Sequence, residues 1–366
     1  MSRLFLDSAG PQRIALLYQA LAPPVIDGVR KSPKPGGYSD SCADIAFCLR
    51  GQGFDIVTPV AAPEPGDVFD WSFPDTAAGI AAAVDQGATL LWANTVLFVG
   101  HPIEAWLDRL WIVGQAPDRQ QAGDDKFATN ERLRQAGLPT VGSLLIGGGS
   151  QEGTVPLDRL TDSFLAARGF RYPLVVKPVR GRGSQGVTRV ATHGELMAAA
   201  EQLLGSGEFG RSAMLEEYLT GTELTLTVMR DPEQPGQVLV LPPVRRFNHI
   251  DGVAPYNGTV AVVENSVVLT AAERSNPVVA RIEEACRRAF ELVGGLALIR
   301  IDCRAGAGGL ESEFWIFDLN MKPNMTGAGR PGREDQDSLS ALAARGLGWS
   351  YGDLLRGMLA SAWKQG

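Results

Sequence analysis

Three glycines in the stretch VVKPVRGRGSQGVTRV, Gly181, Gly183 and Gly186, are spaced G-x-G-x-x-G, and Lys177 precedes them. Glycines at this spacing let backbone N–H groups approach phosphate oxygens closely, and several nucleotide-binding loops use it. A dinucleotide-binding loop follows a first strand and opens a helix. Here the loop sits mid-chain, and the run Val187-Thr188-Arg189-Val190 after it is rich in β-branched residues, which start a helix poorly. A kinase loop lies in a hairpin, but its lysine follows the glycines, and H-R-D and D-F-G motifs come later. Neither motif is present in this chain, nor is a G-x-x-x-x-G-K-[ST] loop. Taken alone, the pattern also suits a plain surface hairpin.

A second stretch, ALIRIDCRAGAGGLESEFWIFDLNMKPNMTG, carries Arg300 and Asp302 at i and i+2, then Asp318 and Asn320 at i and i+2. On strands, each pair shares one face. If the strands pair, two carboxylates and an amide oxygen converge. Such hard oxygen ligands suit Mg²⁺, which takes one or two carboxylates together with substrate phosphates. Half-buried strands also present such residues to solvent, and that reading stands beside the first.

The elements that must position these groups can be read in order. RIALLY (13–18) suits a buried first strand. CADIAFCLRGQGFDIVTPV reads as a helix stopped at Gly51 and Gly53 and a strand over 55–60. A helix over 76–86, a strand over 88–94 and a helix around 101–110 follow, and this alternation implies a parallel α/β sheet. Asp124 or Asp125 can cap a helix running to Gln135, with Gly137 ending it. GLPTVGSLLI reads as a strand. YPLVVKPV and VTRVAT flank the glycine turn as a hairpin, and HGELMAAAEQLLG is a helix of good formers. AMLEEYL and TGTELTLTVM return as strands, then VLVLPPVRRF and TVAVVEN come before a helix over 277–292. Two late strands carry the acidic pairs, and helices close the chain.

Composition bounds the rest. The chain has 366 residues, 45% hydrophobic and 20% charged, which implies a packed globular protein of two or three domains. No apolar run reaches the ~20 residues of a membrane span. The segment MSRLFLDSAGPQRIALLYQ lacks a long apolar core followed by a small-residue cleavage site, so no signal peptide, a cytoplasmic location and no membrane partner are expected. A net charge of −7 argues against a nucleic-acid partner. Cys42, Cys48, Cys286 and Cys303 form no C-x-x-C pair, and His101, His193 and His249 do not cluster. Reduced, mostly buried thiols are expected rather than a zinc site.

Lys126, then VVKP with its glycine hairpin, then LEEYLTGTELT, then IRID, then DLNMKPNMTG occur in an order that resembles the ATP-grasp ligases, most closely the D-alanine–D-alanine ligases. The likeness runs from about Arg13 to the C-terminus and is most specific from Asp124 to Gly327. It implies an ATP-grasp α/β fold: an N-terminal parallel α/β domain (1–120), then central (121–220) and C-terminal (221–366) α+β domains enclosing ATP. By the same resemblance, Lys126 and Lys177 contact phosphates, and Gly181, Gly183, Ser184 and Gly186 form a flap over them. Glu216, Tyr218 and Leu219 take the adenine, and Glu223 takes the ribose. Asp302, Asp318 and Asn320 hold Mg²⁺, or Mn²⁺ in its place. Arg300 stabilises the tetrahedral intermediate, as a guanidinium beside a forming oxyanion should. Catalysis is thereby assigned to Arg300, Lys177, Ser184 and the backbone N–H at Asn324.

The implied reaction joins two small-molecule substrates. A carboxylate attacks the γ-phosphate of ATP to give an acyl phosphate and ADP; an amine then displaces phosphate and forms an amide. The chain departs from the family pattern at four places. Asn324 stands where a glycine is usual, with Lys322, Arg330, Arg333 and Asp335 nearby as new polar groups. Arg245 or Arg246 replaces a lysine of the family, and Tyr256 lines the pocket. A Pro-rich insertion precedes GGYSDS, where Asp40 or Ser41 takes the place of an ammonium-binding glutamate. Asp318 is a shorter substitute for a glutamate. These departures point to a ligase of amino-acid-like substrates in specialised metabolite biosynthesis. The alternatives are a D-alanine–D-alanine ligase of cell-wall synthesis, a non-ligase ATP-binding protein on this scaffold, and a dehydrogenase. A homodimer is the expected protein assembly.

Overall fold

The structure, a computed structural model, describes residues 12–26, 28–31, 33–148, 152–181, 183–249, 252 and 261–366. RIALLY forms strand β1 (Arg13–Tyr18), with Ile14 to Leu17 wholly buried. A strand apolar at successive residues needs cover on both faces, as in a parallel sheet between helices. β1 pairs in parallel with β2 (Asp55–Val57), β3 (Phe73–Pro74) and β4 (Leu90–Asn94), and β4 with β5 (Trp111–Val113). Helix α1 (Ser39–Gly51) packs against Ile14 and Leu16 on one face, and α2 (Ala77–Asp85) against Ala15 and Leu17 on the other.

Two elements are shorter than the sequence suggests. β2 stops at Val57 because the Thr58 hydroxyl donates to the Val60 carbonyl at 2.8 Å and Pro59 follows, turning the chain off the ladder. The expected helix around 101–110 is a single 3₁₀ turn, Pro102–Trp106, because the chain must re-enter the sheet at Trp111 to pair with β4.

The remainder holds two antiparallel sheets. Helix α3 (Lys126–Gln135) begins at Asp125, whose carboxylate accepts from the Ala128 N–H at 2.8 Å. A four-stranded sheet follows, in the order β8-β7-β9-β6, made of β6 (Ser143–Gly147), β7 (Leu174–Pro178), β8 (Thr188–Val190) and β9 (Ser212–Glu217). Leu174, Val176, Ala213 and Leu215 pack against helix α4 (His193–Gly205). Val175, Lys177, Met214 and Glu216 therefore occupy the other face.

The six-stranded sheet repeats that design. Its path is β13-β12-β10-β14-β15, with β11 also pairing β10. The strands are β10 (Glu223–Arg230), β11 (Val238–Val240), β12 (Val244–Arg246), β13 (Ser266–Val268), β14 (Ile299–Ala305) and β15 (Phe314–Asn320). Residues 262–265 of TVAVVEN form a helical turn, and the strand comes after it. Leu224, Leu226, Ile299, Ile301, Cys303 and Ile316 bury against helix α5 (Pro277–Leu292). The alternate residues Glu223, Thr225, Arg300 and Asp302 share the opposite face, and a register shift at Phe317 brings Asp318 and Asn320 onto it although Ile316 faces the core.

α3 joins the two sheets: Phe127 packs with Leu145, Val179 and Met214, while Leu133 enters the core of the six-stranded sheet. Helices α6 (Leu339–Arg345) and α7 (Tyr351–Leu359) return to the start of the molecule. Leu354, Leu355 and Met358 share a core with Ile14 and Leu16, and Trp363 pairs with Ile112 through two backbone hydrogen bonds of 2.7 and 2.9 Å. All four cysteines are free thiols, three of them buried and Cys48 half-buried. Among the described residues, no helix is long and apolar enough to cross a membrane.

Candidate active site

The charged faces of the two antiparallel sheets meet each other. β14 and β15 pair with Arg300 opposite Asn320 and Asp302 opposite Asp318, and the register shifts only after Asp302. The i, i+2 pairs thus converge as their spacing implies. Arg300 Nη2 donates to Asp302 Oδ2 at 3.0 Å, and the Thr225 hydroxyl donates to Asp302 Oδ1 at 2.7 Å. Lys126, at the first turn of α3, is ion-paired with Asp318. A cation at a helix N-terminus meets the positive end of the dipole, and the carboxylate offsets this. Burial works against ionisation of Asp318, but Lys126, Lys177 and Arg300 overcome it and hold its carboxyl down to about 2.

Lys177 lies on the facing sheet, 5% exposed. Its Nζ is 2.6 Å from Glu216 Oε2 and donates to the Phe317 carbonyl at 3.1 Å, so it bridges the two sheets. Glu216 also accepts from Asn130 Nδ2 at 3.1 Å. Burial raises its pKa, and Lys177 and Lys126 pull against that rise. Buried charges of this kind persist because they are paired and hydrogen-bonded. The glycine hairpin links β7 to β8. Gly183, Ser184 and Gly186 all have positive φ (53, 63 and 70°), and Ser184 is exposed at the turn. A non-glycine residue at positive φ is uncommon, and here the flanking glycines share the tight turn.

Tyr218 and Leu219, just past β9, line a cavity of about 340 Å³ with Val141, Pro173, Glu217 and Trp315. Glu223 opens β10, buried, with His249 Nε2 at 2.8 Å from its Oε2. The two arginines of β12 part company. Arg245 points outward and pairs with Glu273 at 2.8 Å, whereas Arg246 is buried and faces Glu223, Asp302 and Arg300. Tyr256 lies outside the described residues.

The other end of the site is arranged differently. After Asn320, whose side-chain oxygen accepts from the Lys322 N–H at 2.9 Å, the chain turns through Lys322, Pro323 and Asn324. Lys322 Nζ lies 4.0 Å above the Tyr38 ring, and Asn324 Oδ1 accepts from Thr326 at 3.0 Å. Arg330 is committed to helix α1: Nη2 donates to Asp40 Oδ1 at 2.6 Å and Nε to Asp44 Oδ1 at 2.8 Å. Arg333 binds the same two carboxylates. Gly329 permits this approach, since a Cβ there would fall 2.2 Å from the Asp44 carbonyl oxygen. The Asp44 partnership carried no sequence signal, because the two segments meet only through the tertiary fold. Thr225 and Asn130 belong to no motif, although Thr225 sits two residues from Glu223 on a strand and shares its face by alternation.

Residues 156–360, more than half of the chain, match the family model described as "D-ala D-ala ligase C-terminus". The chain belongs to this family. It is an ATP-grasp carboxylate–amine ligase, and the dehydrogenase and non-ligase readings fall away. Among curated relatives of this ligase, the D-alanine–D-alanine ligase of Bordetella pertussis is 27% identical over 249 residues, 68% of this chain and 69% of the relative. That of Acinetobacter baumannii is 28% identical over 249 residues, 68% of this chain and 70% of the relative. The fold matches the D-alanine–D-alanine ligase from Bacillus anthracis complexed with ATP, at TM-score 0.62 and 18% identity over 96% of this chain and 97% of that one. It also matches the VanG D-Ala:D-Ser ligase from Enterococcus faecalis, at TM-score 0.62 and 15% identity over 96% and 99%.

Proposed function

We propose that this ligase uses ATP and Mg²⁺ to join a small amino-acid-like carboxylate to a small amino-acid-like amine, releasing ADP and phosphate. One observation carries the reading. Arg300, Asp302, Asp318 and Asn320 share a sheet face, in register, and Lys126 and Lys177 approach that face from the opposing helix and sheet. Lysines placed there neutralise phosphate oxygens, and their present carboxylate partners mark where a polyanion with its cation would exchange in. On this reading Glu216, Tyr218 and Leu219 take the adenine and Glu223 the ribose, and Gly181, Gly183, Ser184 and Gly186 close over the phosphates.

The donor set fits Mg²⁺. Among the described residues, no group of three or more His, Cys, Asp or Glu side chains is placed to hold a metal, so the protein offers two carboxylates, Asp302 and Asp318, and the Asn320 amide oxygen. That is the small protein share typical of a metal bound through substrate phosphates. When bound, the ion would supply charge neutralisation at the phosphates. Arg300, which donates to Asp302, would stabilise the charge that develops as amine adds to the acyl phosphate. No protein nucleophile is required, and the two reacting groups are brought together by positioning. On the same reading Asn324, in the turn after Asn320, offers its backbone N–H to that oxyanion.

We further infer substrates other than two D-alanines, in the synthesis of a specialised metabolite. The support is the amino-acid end, where Arg330 and Arg333 are bound to Asp40 and Asp44 and Lys322 lies over Tyr38. Arg330 on this reading shapes the acceptor pocket and leaves substrate contact to Lys322 and Arg246. The names of the curated relatives support the second reading, D-alanine–D-alanine ligation. Phosphate release from ATP and Mg²⁺, screened across pairs of amino acids with mass spectrometry of the product, tests both. Release that needs a carboxylate and an amine together is expected. Release that is largest with D-alanine alone favours the second reading, and release indifferent to either substrate defeats the ligase assignment for these partners.

A further inference from the structure

We infer that His249 is a positioning residue for Glu223 and sets how strictly the enzyme reads the ribose of its nucleotide. The inference rests on the reading of Glu223 as the ribose carboxylate. Glu223 is 4% exposed, and its partners across the sheet are Arg246 and Arg304. His249 Nε2 lies 2.8 Å from Glu223 Oε2, while Arg304 Nη1 stays 3.9 Å from that oxygen. An ionised carboxylate only accepts, so Nε2 carries the proton in this contact. With Oε2 engaged by the imidazole, rotation of the carboxylate is restricted, which leaves Oε1 for a sugar hydroxyl. A glutamate side chain is rich in rotamers, so fixing it before the ligand arrives removes an ordering cost from binding.

His249 is itself delivered by fixed backbone. The Phe247 N–H donates to the Asn265 carbonyl at 2.9 Å, and Asn248, at φ 54°, donates through Nδ2 to the Glu264 carbonyl at 3.2 Å. Three residues past His249, the Gly252 carbonyl accepts from the Tyr218 hydroxyl at 3.2 Å and from Arg304 Nη1 at 2.8 Å. A Cβ on Gly252 would fall 2.1 Å from the Tyr218 hydroxyl oxygen, so only glycine fits. The chain leaving β12 thus touches both Glu223 and Tyr218. Ribose recognition is thereby tied to the placement of this segment.

The test is calorimetric binding of ATP and of 2′-deoxy-ATP, each with Mg²⁺, to the full chain and to H249A, H249Q and E223Q. The parent binds ATP more tightly than 2′-deoxy-ATP, and E223Q loses most of that preference. H249A weakens ATP binding by about tenfold, the scale of a hydrogen bond to a charged group, and weakens 2′-deoxy-ATP less. H249Q, whose amide also donates, recovers part of the preference. If H249A keeps the parent preference while E223Q loses it, the role of His249 is overturned and that of Glu223 stands. If E223Q keeps the preference, the ribose reading of Glu223 is the part that fails. Tighter ATP binding by H249A would mean that the imidazole competes with the ribose, and this also overturns the inference. Melting temperatures without nucleotide identify any variant that loses binding through misfolding, and the H249Q ratio then decides.

Discussion

Arg300, Asp302, Asp318 and Asn320 are held by paired positions on two adjacent strands, whereas Arg330 and its partners Asp44 and Asp40 meet across 286 and 290 residues of chain. In the first group, backbone ladders set the positions of the side chains. In the second, the ions are the fastening: a loop and the first turns of α1 are held together by two guanidiniums and two carboxylates. On the proposed function, the first group should exchange its charge partners for a ligand and the second should not.

The largest expected effect separates the two ends by stability. Arg330→Met leaves Asp44, fully buried, with Arg333 as its remaining arginine, and removal of one partner from a buried pair costs about 3–5 kcal/mol. Urea unfolding measures it, and the double variant Arg330→Met with Asp44→Leu should recover much of the loss. A cost below about 1 kcal/mol would place this cluster with exposed ion pairs and break the contrast.

Arg300→Met should show the opposite pattern. The strand ladder stays, so the fold is retained, while kcat falls by about 10²–10³ for loss of an oxyanion donor. Single-turnover acyl-phosphate formation with ATP at saturation would locate the defect in the second half of the reaction. Equal losses in ATP binding would instead make Arg300 a nucleotide ligand.

Asp40→Asn is the milder test at the amino-acid end. Its carboxylate is 50% exposed, so the stability change should stay under about 1 kcal/mol even though two arginines contact it. A KM change for the amine or carboxylate substrate without that stability change would show that Asp40 also meets substrate.

The smallest effect is a pH dependence. The Asp318 carboxyl is held below its ordinary value of 3.8, at about 2, in the folded chain. Its contribution is therefore complete above the unfolded value and is lost as pH falls from about 4 toward 2. Asp318→Asn should flatten acid unfolding in that window, and unchanged steepness would assign the acid sensitivity to other carboxylates.

Much of the nucleotide end was legible without coordinates. Alternation on a strand has period two, so Arg300 with Asp302 and Asp318 with Asn320 had to share faces once both runs were strands. Asp125 as a cap, the turn at Gly181 to Gly186 and the helices over 193–205 and 277–292 are local properties of propensity and capping, and they appear where those rules put them. The sequence also determined the family, because its motifs come in one order. Tertiary structure alone decided the rest. Which of Arg245 and Arg246 faces the site depended on the register of β12 against β10. That Arg330 answers to α1, that His249 rests on Glu223, and that α6 and α7 complete the first core are contacts between distant segments. Local periodicity says which face a side chain occupies; only the packed fold says what stands opposite it.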